Sequence, residues 1–186
     1  GLYLLARARD ELGDPAGAVD AYQAFLALSP PAGELAAERD AATLRLGLAL
    51  IRVGEQGLGR SELESLAIAD GPWIRVLEAD ALAARGDTAA VRGTVAGLDT
   101  GLPGLRGWRA RVQAARRAGD IAQARALANQ ARSWARTTGT RSEFLLLAGR
   151  MALEMGDTAA ARDAFRSVID RGAGGAHARA AAGLLR

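Results

Sequence analysis

The sequence predicts an all-α fold, a solenoid of about five helical hairpins followed by the start of a further helix. Three observations lead there. First, the 186 residues are 49% hydrophobic but only 4% aromatic, and roughly a quarter are alanine. Alanine, leucine and arginine are strong helix formers, and the β-branched and aromatic residues that favour strands are few. Second, a glycine followed by an acid returns five times, at Gly13-Asp14, Gly54-Glu55, Gly86-Asp87, Gly119-Asp120 and Gly156-Asp157, with spacings of 41, 32, 33 and 37 residues. Two of these sites read GDTAA, at Gly86–Ala90 and Gly156–Ala160, two units apart. Third, each pair lies between two runs whose apolar residues recur at three and four, the helical period.

The first unit, residues 1–31, sets "LYLLARARDEL" against "AGAVDAYQAFLAL". Pro15 suits the first turn of its second helix. The second unit, 34–71, must accommodate the longest spacing, which predicts a long first helix from Glu34 to Val53 before "RSELESLAIA". The third, 72–103, pairs "PWIRVLEADALAAR" with "AAVRGTVAGL". The fourth, 104–138, pairs "LRGWRARVQAARRA" with "AQARALANQARSWA". The fifth, 139–172, pairs "SEFLLLAGRMALEM" with "AAARDAFRSVI", and a partial helix is expected within 173–186. In every unit the glycine is expected to end one helix in the left-handed conformation. The acid then starts the next, where its charge meets the helix dipole. Pro30, Pro31, Pro72 and Pro103 are expected between units, where helices stop. A single hairpin cannot bury its apolar face, but stacked hairpins share a core. The expectation is one solenoid over 1–186, cut from a longer protein, since the chain starts mid-pattern at Gly1 without a methionine.

All 24 basic residues are arginine, which reads as GC-rich coding and a bacterial source. The net charge is only +3, but it is unevenly spread. Residues 101–141 carry nine arginines against one acid, Asp120, whereas residues 1–100 carry nine against fifteen acids. There is no cysteine, hence no disulfide and no thiolate metal site. His177, the only histidine, has no partner for a metal site or a triad and is expected on a helix surface. No cofactor, metal site or catalytic constellation is expected. No apolar run approaches 18 residues, so no membrane span is expected.

Three short strings imitate functional motifs. "GEQGLGRS", Gly54–Ser61, has the spacing of a phosphate-binding loop, but a helix rather than a strand precedes it, so it reads as an inter-helix turn. "RGD" at Arg85–Asp87 falls on a repeat turn. Glu64-Ser65 lies in a repeat helix, and nothing in the sequence marks its carboxylate for the raised pKa of a catalytic acid. Nucleic acid is a poor fit: aromatic stacking platforms and a high total charge are missing.

Together these features resemble a tetratricopeptide repeat (TPR) array, over nearly the whole chain. The family's signature positions are met by Leu5, Ala18, Tyr22 and Pro30 in the first unit and by Leu46 and Gly47 in the second. Trp108, Ala124 and Ala131 meet them in the fourth, and Gly149, Ala161 and Phe165 in the fifth. The third unit keeps little beyond Pro103, and Phe25 replaces a small residue. The resemblance implies a right-handed solenoid without catalytic activity of its own, whose first helices line a groove that holds a protein or peptide. Carried over by position, the groove residues are Arg106, Arg109, Gln113 and Arg116 in the fourth unit, with Glu143 and Arg150 in the fifth. Trp73 and Asp80 hold such positions in the third, and Tyr3, Arg7 and Asp10 in the first. Arg106, Arg109, Arg116 and Arg150 would form a basic cluster suited to an acidic segment or a C-terminal carboxylate. A solvated face balanced by acids elsewhere is the alternative. The chain also resembles the helical superhelix of bacterial soluble lytic transglycosylases. That would imply a periplasmic protein acting on peptidoglycan through a catalytic domain outside these residues. Otherwise a cytoplasmic or an exported location remains open.

Overall fold

The computed structural model describes residues 1–28, 36–66, 71–172 and 175–185. The described residues form eleven α-helices and no strand, so the fold is all-α and of the α-solenoid class. The chain divides into two compact units, Gly1–Arg85 and Gly86–Arg186.

The first unit holds α1 (Leu2–Glu11), α2 (Pro15–Leu28), α3 (Ala36–Val53), α4 (Gln56–Glu64) and α5 (Pro72–Ala84). α1 packs on α2 and α3 on α4 as hairpins; α2 then packs on α3, and α5 on α3. Its core joins Ala6, Ala18, Tyr22, Leu46 and Leu50, with Tyr3 and Phe25 at the rim. The Tyr3 ring lies 5.4 Å from Phe25 and 6.3 Å from Tyr22, so Phe25 fills space beside Tyr3 where a small residue was expected. Burial pushes the Tyr22 phenol up, and the nearby Arg45 cation offsets part of that. α3 and α4 meet at two glycines. A Cβ on Gly59 would stand 2.5 Å from the Gly47 carbonyl oxygen, and one on Gly47 would stand 2.9 Å from that of Gly59.

The second unit holds α6 (Thr88–Thr94), α7 (Gly101–Arg117), α8 (Ile121–Trp134), α9 (Thr138–Glu154), α10 (Thr158–Arg171) and α11 (Ala176–Leu184). Each helix from α6 to α10 packs on its successor, and α11 also touches α9. Val112, Ala115, Ala124 and Ala128 join Met151 in one cluster, and Phe144 joins Ala131 in a second. A third gathers Leu145, Leu146, Phe165 and Val168 with Ala181 of α11. Bare Gly149 lets the Phe165 ring seat against α9, since a Cβ there would lie 2.5 Å from the ring.

The turns behave as the repeat requires. All five anchor glycines have positive φ, between 76° and 106°. Asp14, Asp87, Asp120 and Asp157 each accept a hydrogen bond from the backbone N–H three residues on, at 2.8–3.0 Å. Glu55 also precedes its helix but makes no such bond, because its extra methylene carries the carboxylate past the first-turn amides.

Some boundaries differ from expectation. α4 starts at Gln56, so only Gly54-Glu55 is a turn and the rest of "GEQGLGRS" is helix. Gly59 serves close packing, which periodicity alone reads as a loop. Pro103 lies inside the first turn of α7 rather than between helices, and Pro72 begins α5. Both are compatible with helix because first-turn N–H groups have no intrahelical acceptor. Pro30, Pro31, Glu34, residues 67–70 and positions 173, 174 and 186 lie outside the described residues. The further helix is α11, and His177 is half-buried on it.

Candidate binding face

The predicted groove positions of the second unit fall on two helices that share a hairpin neighbour. Arg106, Arg109, Gln113 and Arg116 recur at three and four along α7, which puts them on one face. Arg106 and Arg116 are exposed there, and Arg109 and Gln113 half-buried. On α9, Arg150 is exposed one heptad beyond Glu143.

The structure joins the two rows. Arg109 grips Glu143 with both edges of a fork, Nε donating to Oε1 at 2.5 Å and Nη2 to Oε2 at 2.7 Å. Arg116 reaches Glu154 at the far end of the same two helices, Nη2 to Oε1 at 2.8 Å. The α7 arginines therefore meet carboxylates from α9, and the face they build carries both signs of charge. Arg109 keeps 42% of its side chain exposed while Glu143 keeps 17%, so the guanidinium is the more accessible partner. Trp73 and Asp80 lie on α5 of the first unit, Trp73 half exposed and Asp80 half-buried. Glu64 ends α4, and the Ser65 hydroxyl donates to the Glu62 carbonyl, a helix-end contact.

Ion pairing between helices recurs elsewhere. In the first unit Arg52 of α3 pairs with Asp10 of α1. Arg60 of α4 pairs with buried Glu78 of α5 at 2.5 Å, and Arg85 donates to the Ile51 carbonyl near the end of α3. In the second unit Arg125 of α8 pairs with Asp157 at 3.0 Å. The Ala160 N–H and the Arg125 cation hold the Asp157 carboxyl below the usual carboxylate range.

The pairs Asp10–Arg52 and Arg116–Glu154 occupy one register. Asp10 and Arg116 stand three before their turn glycines, Arg52 and Glu154 two before theirs. Opposite charges at those two positions of successive units were the signal that could have found them.

A tetratricopeptide repeat family model matches residues 1–31 and 143–171. A solved tetratricopeptide repeat protein from Parabacteroides merdae is 16% identical and superposes with a TM-score of 0.52, over 98% of this chain and 69% of that one. No curated protein matches the sequence. No helix among the described residues is long and apolar enough to cross a membrane.

Proposed function

Since the chain is a TPR-like helical repeat array, we propose that it is a non-catalytic scaffold that holds a protein or peptide. TPR repeats generally mediate protein binding, and this fold suggests the same role here. The finer reading places a partner's acidic segment or C-terminal carboxylate on the α7–α9 face, recognised by Arg106, Arg109, Gln113, Arg116 and Arg150. On the first unit, Trp73 offers an exposed aromatic anchor two turns before Asp80 on the same helix.

The observation that carries this reading is the Arg109–Glu143 fork. It holds a guanidinium extended at a half-open position, in the geometry that recognises a carboxylate. An incoming carboxylate competes with Glu143, which makes binding weak and salt-sensitive. Replacing the competitor should strengthen it. Glu143→Gln is expected to tighten binding of an acidic peptide by about tenfold, the equivalent of one charge-assisted hydrogen bond. Arg109→Gln should weaken it by a similar factor, as read by isothermal titration. Equal affinity in both variants and the parent would sink the assignment.

A further inference from the structure

A second set of arginines lies away from that face, in a cleft of ≈ 550 Å³ lined by Thr88 and Arg92 of α6, Arg111 of α7, and Gln123, Leu127 and Gln130 of α8. No described acid lines it. Neither arginine pairs with a carboxylate among the described residues, whereas Arg109, Arg116 and Arg125 of the same unit all do. Arg111 sits with its guanidinium 4.7 Å from the centre of the Trp108 ring, and its Nε is buried without a hydrogen-bond partner. A donor held in that way is expensive to leave unmade.

The repeat register shows what is missing. Eight residues before their turn glycines stand Leu5, Leu46, Glu78, Arg111 and Ala148. Six residues after the preceding turn glycine stand Arg60, for Glu78, and Arg92, for Arg111. In the first unit the two positions form a buried ion pair, Arg60 with Glu78. In the second unit the same two positions are both arginine, and both line the cleft. The slot that holds a glutamate carboxylate in one hairpin therefore lacks it in the next. The acids nearest in sequence, Asp87 and Asp120, are engaged as N-caps of α6 and α8.

We infer that the Arg92–Arg111 cleft receives a glutamate or aspartate side chain of a partner protein. The incoming carboxylate takes the place that Glu78 fills beside Arg60. Two guanidiniums supply charge-assisted donors, and the Gln123 and Gln130 carboxamides can donate to the oxygen they leave unmet. This site shares no residue with the α7–α9 face, and its test is separable from that reading.

The probe is a Glu-rich peptide with a blocked, amidated C-terminus, titrated into the protein at low salt while the Arg111 Nε–H resonance is followed by NMR. Saturable movement of that resonance is expected, weakened about tenfold in Arg92→Gln by loss of one charge-assisted contact. It should stay unchanged in Arg109→Gln. Arg111→Glu should rebuild the internal pair with Arg92, raise the melting temperature and, in the Arg109→Gln background, abolish the remaining peptide binding read by tryptophan fluorescence. A still resonance in the parent would overturn the inference. So would an affinity unaffected by Arg92→Gln, or saturation by a phosphoserine peptide but not by the Glu-rich one.

Discussion

Asp87 and Glu55 stand at the same place in their units and do different things. Asp87 accepts from the Ala90 N–H at 3.0 Å, while Glu55 leaves its first-turn amides without a side-chain acceptor. Asp87→Ala should therefore cost about 1 kcal/mol in urea unfolding, and Glu55→Ala close to nothing. Equal losses would mean that the acids act through charge alone. The glycine-acid pair was legible because both residues answer to local backbone geometry. The role of Gly59 was not, because it is bare to admit the Gly47 carbonyl of another helix. Nothing local distinguishes a glycine that breaks a helix from one that lets a neighbour approach. Arg111 falls between these cases. Its position eight before the turn and its i, i+3 contact with Trp108 were readable, but the cleft it lines depends on how α6, α7 and α8 meet.

At the scale of helices, charged side chains tie successive hairpins across apolar seams built largely from alanine. Asp157 belongs to two such elements, capping α10 while pairing with Arg125 of α8. Its carboxyl titrates below the ordinary range, first because the Ala160 N–H donates to it and then because Arg125 lies beside it. A lowered value in the folded state contributes stability above the unfolded value, which is lost as pH falls through the folded one. Asp157→Asn keeps a capping oxygen but no charge. The fall in urea midpoint between pH 7 and about pH 3 should be smaller in that variant than in the parent, since an unperturbed aspartate titrates near 3.9. An identical fall would assign the acid sensitivity elsewhere. The helices themselves were visible in their periodicity, apart from the early starts of α4 and α7. Which acid meets which arginine was not, because partners 32 to 42 residues apart are joined only by the stacking.

For the molecule as a whole, contacts run between neighbouring helices, so stability should be graded along each unit. α9 packs on α8, α10 and α11 and buries eight residues, while α11 packs on α9 and α10 and buries Ala178 and Ala181. Amides of α11 should exchange with deuterium at least about tenfold faster than those of α9. Uniform protection would indicate one cooperative block.

The paired charges also restrict which hairpins can be neighbours. Asp10 and Arg116 hold the same place in their units with opposite sign, as do Arg52 and Glu154. If recombination set the hairpin of α7 and α8 directly before that of α3 and α4, Arg116 would meet Arg52. The alanine seam could still fit, but the charges would repel. The first and fourth hairpins thus each carry an address for their successor, which restricts the order in which such similar parts can follow one another.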